Sequence, residues 1–171
     1  MTHRLGAHGL LFTDRWDREN AKRAIDTAAR LGFDLIEVLI FDPATTDPAL
    51  IRRLAKDAGI DVAVGMALGQ DADMASLDSG IAARATDTVR RSLEIAAEIG
   101  APALSGLVYA GLGRYAARPS EQQKALVVER LGVLDRDARK LGLKLGLEPI
   151  NRYETNMVNT VDEAGALIRA I

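Results

Sequence analysis

The sequence predicts an α/β fold built on a parallel sheet, and three observations carry that expectation. Short apolar runs of strand length alternate with longer segments of helical period, the pattern that βα units generate. The first four helical segments close on Gly32, Gly59, Gly100 and Gly142, and the next apolar run begins within a few residues of each. Each unit then takes about 30 to 40 residues, as right-handed βαβ crossovers require. Five such units fill the chain, and both a closed eight-stranded (β/α) barrel and an open doubly wound sheet satisfy them.

The first strand is expected over Arg4 to Phe12, followed by a helix from about Trp16 to Leu31 with Ala21, Ala24, Ile25, Ala28 and Leu31 on one stripe. Asp34 to Ile40 reads as the second strand, broken by Asp42-Pro43. Asp47-Pro48 places a capping residue before a proline at the first helical position, and the helix stops at Gly59. Ile60 to Leu68 is the third strand. The polar connection from Gly69 to about Ser79 is long for a βα unit, which makes it a candidate for function. A helix over Gly80 to Ile99, a strand over Ala103 to Ala110 and a loop over Gly111 to Pro119 come next. Ser120 caps the fourth helix, which runs to Leu141. Leu143 to Pro149 is the fifth strand, Ile150 to Asn159 its loop, and Thr160 to Glu163 has the spacing of a capping box that starts a last helix. No linker or low-complexity segment separates the units, so the chain reads as one domain or part of one.

Composition narrows the function classes. With 22 Lys plus Arg against 24 Asp plus Glu and no basic tract, global charge recruits neither nucleic acid nor an anionic membrane. The absence of cysteine removes disulfides, thiolate metal sites and a cysteine nucleophile, and leaves oxygen and nitrogen as metal donors. No apolar run reaches membrane-spanning length and the N-terminus lacks a secretory pattern, so a cytoplasmic location is the default expectation.

The richest stretch is Leu143-Lys144-Leu145-Gly146-Leu147-Glu148-Pro149-Ile150-Asn151-Arg152-Tyr153-Glu154. Side chains alternate along a strand, so Leu143, Leu145 and Leu147 share the face toward the helices while Lys144, Gly146 and Glu148 share the other. Glu148 then stands at the strand's C-terminal end, where barrel enzymes collect reacting groups. An ion pair with Lys144 or with a base on a neighbouring strand is an equal reading of the same spacing. Glu154, in the following loop, reads by itself as a solvated surface carboxylate.

The run Leu147 to Ala164 resembles the fifth-strand segment of the ketose 3-epimerase family (D-tagatose, D-psicose and L-ribulose 3-epimerases), in which a Glu precedes Asn-Arg-Phe-Glu and a later Asn-Thr. Leu5-Gly6-Ala7-His8, Arg30 to Glu37 and Ala75-Ser76-Leu77-Asp78 resemble the same family in the same order, so the likeness spans nearly the whole chain. It implies a xylose-isomerase-like (β/α)8 TIM barrel, present here as an incomplete barrel of about five units. It implies one divalent ion, Mn2+ or Mg2+ and in some cases Co2+, held by two Glu, an Asp and a His, with the first Glu falling on Glu148 as ligand and proton-transfer group. The substrate it implies is a free small-molecule ketose, inverted at C3 by deprotonation and reprotonation through an enediolate. Glu154 takes the place of the loop Glu at the reacting end of the sugar, and Trp16, His8, Gly65 and Leu107 fall on positions lining the substrate. A helix-start residue packed on the rim is the other reading of Trp16, and a hydrogen-bonded core histidine that of His8.

Leu112 departs from the family, which often has a tryptophan there, and that leaves the sugar open. Glu37 is expected in a rim salt bridge and stays outside the expected site. The larger departure is length. A complete barrel takes about 250 residues, and the family's remaining Asp, His and second Glu lie on strands beyond this sequence. The stop inside a helical pattern points to a longer enzyme or a fragment. Two rivals share the scaffold: an aldose-ketose or hydroxypyruvate-type isomerase, and a non-catalytic half-barrel that pairs with itself to close its sheet. A homo-oligomer is expected; nucleic-acid and membrane partners are not.

Overall fold

A computed structural model describes residues 3–171. Five strands, β1 (Gly6–His8), β2 (Leu35–Ile40), β3 (Asp61–Leu68), β4 (Ala103–Gly111) and β5 (Lys144–Leu145), alternate with helices α1 (Arg18–Arg30), α2 (Pro48–Ala58), α3 (Ser79–Ile99), α4 (Glu121–Lys140) and α5 (Val161–Ala170). All strand pairs are parallel and the order across the sheet is β1-β2-β3-β4-β5. This order decides between the two topologies that the periodicity allowed. A doubly wound sheet reverses its strand order partway across, whereas strictly sequential strands with right-handed crossovers keep every helix on one face, as an arc of a barrel does.

Burial follows that asymmetry. Ile36, Val38 and Ile40 of β2, Val64, Met66 and Leu68 of β3, and Leu104 of β4 pack against Ile25, Ile51, Leu93 and Leu131 of the helices, all of them buried. The alternate residues of β2, Leu35, Glu37 and Leu39, are only half-buried on the concave face. Asp47-Pro48 caps α2 and Thr160 closes a full capping box, as their spacing predicts, and Ser120, expected as a cap, closes a box with Gln123 as well. Among the described residues no helix is long and apolar enough to cross a membrane.

Three boundaries differ from expectation. β1 is Gly6–His8 rather than Arg4 to Phe12, because the chain turns into a 3-10 turn over Gly9–Leu11 that begins with the Leu10 N–H donating to His8 Nδ1 at 3.2 Å. α1 starts after Asp17, whose carboxylate accepts the Glu19 and Asn20 N–H groups, so Trp16 lies outside the helix. The regular part of β5 is only Lys144–Leu145, not Leu143 to Pro149. The segment beyond it nevertheless continues to donate to β4, Gly146 N–H to Leu104 O at 2.8 Å and Glu148 N–H to Gly106 O at 3.1 Å. The alternation inferred for that segment therefore persists beyond the regular strand.

Gly106 faces Met66 at unusually close range. Its φ of +124° is in the region reserved for glycine, and a Cβ there would lie 2.1 Å from Met66 O of β3. Just beyond, the β3–β4 register jumps from Ala67↔Leu107 to Leu68↔Gly111, so that residues 108–110 bulge out of the ladder. Gly106→Ala is expected to lower the unfolding free energy by about 2 to 4 kcal/mol, from strain plus overpacking. Gly32→Ala, at φ +84° with no heavy atom within 4 Å of the added Cβ, is expected to cost about 1 kcal/mol. Urea unfolding of both variants checks the ranking.

Candidate active site

Glu148 is exposed, as is Lys144, on the face opposite Leu143, Leu145 and Leu147, which pack against the hydrophobic core. No ion pair joins Glu148 to Lys144 or to any other base among the described residues, so the carboxylate is free to act on a ligand. Its backbone is held from both sides. The Glu148 N–H donates to Gly106 O at 3.1 Å. The Glu148 carbonyl accepts from the Tyr109 hydroxyl at 2.8 Å, which also lies 3.1 Å from Val158 O. Tyr109 is fully buried in the β4 bulge.

A second constellation forms across β1, β2 and β3. The hydrogen bond from Leu10 N–H makes His8 Nδ1 an acceptor, which leaves the ring proton on Nε2, 3.4 Å from Glu37 Oε2. Glu37 also lies over Gly65, where an added Cβ would approach Oε1 to 2.8 Å. The structure thus brings His8 and Gly65 together through Glu37, the residue outside the expected site, whose neighbour is the His8 ring on the concave face rather than a base on the rim. Trp16 is buried, donates its Nε1 proton to Leu39 O at 3.1 Å and leaves Gly9 no room for a Cβ. It borders a cavity of about 430 Å³ shared with Arg15, Phe41 and Thr46. Leu107 is 3% exposed and belongs to the core, so it offers little surface to a ligand.

The loops above β4 and β5 are stapled to each other. Asn156 accepts from the Tyr115 N–H at 2.8 Å and donates to Tyr115 O and Ala117 O. The Gly113 N–H donates to Glu154 O at 2.5 Å. The Glu154 side chain is exposed and accepts a hydrogen bond from Asn151 Nδ2. Leu112 is anchored by its N–H to Leu68 O at 2.9 Å, with its side chain 37% exposed. The Tyr115 hydroxyl donates to the Asp73 carboxylate, 2.7 Å from Oδ1, which ties the long loop after β3 to the loop after β4. Neither Tyr109, inside an apolar strand, nor Tyr115, in a loop after Arg114, carries a motif; each shows its role only through its partner.

Among the described residues no three His, Asp or Glu side chains converge as a metal site requires. Glu148 is one hard oxygen donor of the right chemistry. The residues present do not complete a divalent-cation site.

Sequential parallel strands, helices on one face and an acidic side chain at the C-terminal end of a strand define a protein of the (β/α) barrel class. The chain belongs to the xylose isomerase-like TIM barrel family, whose model matches residues 25–171. It is 32% identical over 155 residues to an L-ribulose 3-epimerase of Methylomonas sp. (strain DH-1), covering 91% of this chain and 54% of that protein. It is 27% identical over 168 residues to a ketose 3-epimerase of Arthrobacter globiformis, covering 98% and 58%. The crystal structure of a D-allulose 3-epimerase from Methylomonas sp. superposes with a TM-score of 0.94 at 32% identity, covering 98% of this chain and 58% of that one. The chain thus spans little more than half the length of these relatives.

Burial, first, and for Tyr115 the hydrogen bond to Asp73 push both phenols well above the ordinary value of 10.0. A phenol whose folded pKa is raised stabilises the fold fully below its unfolded pKa, and that stability is lost as pH rises beyond it. Unfolding free energy is therefore expected to fall as pH climbs above about 10, and Tyr109→Phe with Tyr115→Phe should flatten that fall. At pH 7 Tyr109→Phe alone should cost about 1 to 2 kcal/mol, since the one hydroxyl proton shared by the Glu148 and Val158 carbonyls is lost from a buried position. Urea titrations at pH 7 and at alkaline pH measure both.

Proposed function

We propose that this chain forms the proton-abstracting part of a sugar epimerase that inverts C3 of a free ketose through an enediolate. The observation that carries the reading is Glu148: an unpaired, exposed carboxylate at the mouth end of β5, its backbone clamped by Gly106 and Tyr109, on a scaffold shared with relatives named as 3-epimerases.

In this mechanism a carboxylate oxygen of Glu148 takes the proton from C3. The electron pair of the C–H bond becomes the C3–C2 double bond, and the carbonyl pair moves onto the C2 oxygen, giving the enediolate. Inversion requires that a proton return to the opposite face of C3, so a second group must stand across the substrate from Glu148. Exposure of Glu148 leaves its carboxylate within reach of a substrate, while the two backbone hydrogen bonds limit its positional freedom, which is what effective proton transfer from carbon demands. Glu154, with Asn151 bonded to it, would hold a sugar hydroxyl. His8, Gly65 and Trp16 border the concave face where the rest of the sugar would lie.

A hard cation such as Mn2+, Mg2+ or Co2+ would polarise the C2 carbonyl when bound. Only Glu148 is offered to it here; its other ligands would have to come from outside the described residues.

The test is Glu148→Gln in the natural-length protein, assayed with D-allulose and L-ribulose in deuterated water. Turnover is expected to fall by at least about 10² to 10⁴-fold, together with loss of deuterium incorporation at C3. Rates near those of the unsubstituted protein would reject the assignment. Deuterium entering at C1 with aldose formation would instead indicate the isomerase chemistry.

A further inference from the structure

Between the β4–α4 loop and the β5–α5 loop lies a second cavity, of about 600 Å³, large enough for a small organic anion. Its walls carry four cations, Arg114, Arg118, Lys124 and Arg152, against two carboxylates, Glu121 and Glu163. Both carboxylates are already engaged. Glu121 pairs with Lys124 at 2.8 Å. Glu163 Oε2 accepts the N–H groups of Asn159 at 2.7 Å and Thr160 at 3.1 Å in the cap of α5. The guanidiniums of Arg114, Arg118 and Arg152 have no carboxylate within 4.0 Å among the described residues.

Three uncompensated guanidiniums around one cleft are unexpected in a chain of net charge -2. Like charges gathered in one place repel, and a solvated surface without a ligand gains nothing from the gathering. The cavity is also built on a fixed base, since Asn156 joins its two loops through Tyr115 and Ala117 and Glu154 O receives the Gly113 N–H. The positive end of α4, entered through Pro119 and Glu121, opens into the same space and adds to the field.

We propose that this cleft is a binding site for a phosphate group, held by the forked guanidiniums of Arg114, Arg118 and Arg152. Guanidinium matches phosphate oxygens two at a time, which a lone ammonium cannot do, and three around one anion supply most of its hydrogen-bonding needs. Glu148 does not line this cleft. The site therefore goes beyond the proposed epimerase chemistry and stands or falls separately from it. The bound group is either the inorganic ion or the phosphate of a phosphorylated sugar.

Calorimetric titration with inorganic phosphate, D-fructose 6-phosphate and unphosphorylated D-fructose, at constant ionic strength with chloride as the balancing ion, tests the proposal. Saturable binding of the phosphate-bearing probes is expected with a Kd on the order of 1 mM or tighter. In the double variant Arg118→Gln with Arg152→Gln it should weaken by about tenfold or more. Tighter binding of the sugar phosphate than of the ion would identify a phosphorylated sugar as the ligand, and equal binding would identify the ion. Phosphate no better than chloride, or a double variant that binds as well as the parent, overturns the proposal. So does a shift of the double variant's oligomeric state on sedimentation without any saturable phosphate binding, which would assign the arginines to a second copy of the chain.

Discussion

The close approach of β4 to β3 at Gly106 governs the geometry of the candidate site. With its positive φ and no space for a Cβ against Met66 O, this residue lets β4 lie tight on β3, and just past the next pair, Ala67 with Leu107, residues 108–110 bulge. Two consequences converge on one side chain. The Gly106 carbonyl receives the Glu148 N–H, and the bulge delivers Tyr109 to the Glu148 carbonyl. A carboxylate at the mouth of the sheet is thus fixed by backbone hydrogen bonds alone, which leaves both of its own oxygens for a ligand. Had the side chain been held by an ion pair, a substrate would have had to displace that partner first.

The same economy separates two kinds of charge on the molecule. Most ion pairs lie along helices at i,i+3 or i,i+4 spacing, or join α3 to α4 through Arg90 and Asp137. Such pairs are exposed and screened, and each contributes little to stability. Asp137 is held below the usual carboxylate range by its hydrogen bonds to Lys140 and Arg90. The loops at the C-terminal ends of the strands are different. There Glu148 and three arginines remain without opposite charges, in line with the use of βα loops for binding and of the helix-side surface for structure.

Periodicity made most of this fold legible. Leu143, Leu145 and Leu147 do face the core with Glu148 opposite, because a period of two survives even where the ladder weakens. The glycine stops and the caps at Asp47, Ser120 and Thr160 mark helix ends through local chemistry, which is why they could be read without tertiary knowledge. β1 and β5 were overextended for the opposite reason. An apolar run does not reveal that His8 Nδ1 will cap a turn at Leu10, nor that β4, the partner of β5, will bulge over residues 108–110. Glu37 shows the same limit: a carboxylate on a strand has two faces available, and only the contacts with His8 and Gly65 show that it belongs with the residues expected at the site. Nor could composition reveal the arginine cleft, since Arg114, Arg118 and Arg152 come from two loops and form no basic tract.

The half-buried concave face supplies the last step. In a closed barrel that face is a packed core, and the stability it contributes scales with apolar area removed from water. Here Leu35, Leu39, Ala63 and Ala67 are only partly covered, whereas the opposite face of β2 and β3 is almost wholly buried. Stability of these five units therefore rests mainly on the sheet–helix interface, and the concave side can carry Glu37, His8 and Glu148 at low desolvation cost. Covering that face would bury apolar surface and raise the cost of these polar groups together. Any segment or partner that completes the barrel must then supply polar partners for them as well as leucines, and this requirement is the physical link between closing the fold and assembling a site able to move a proton.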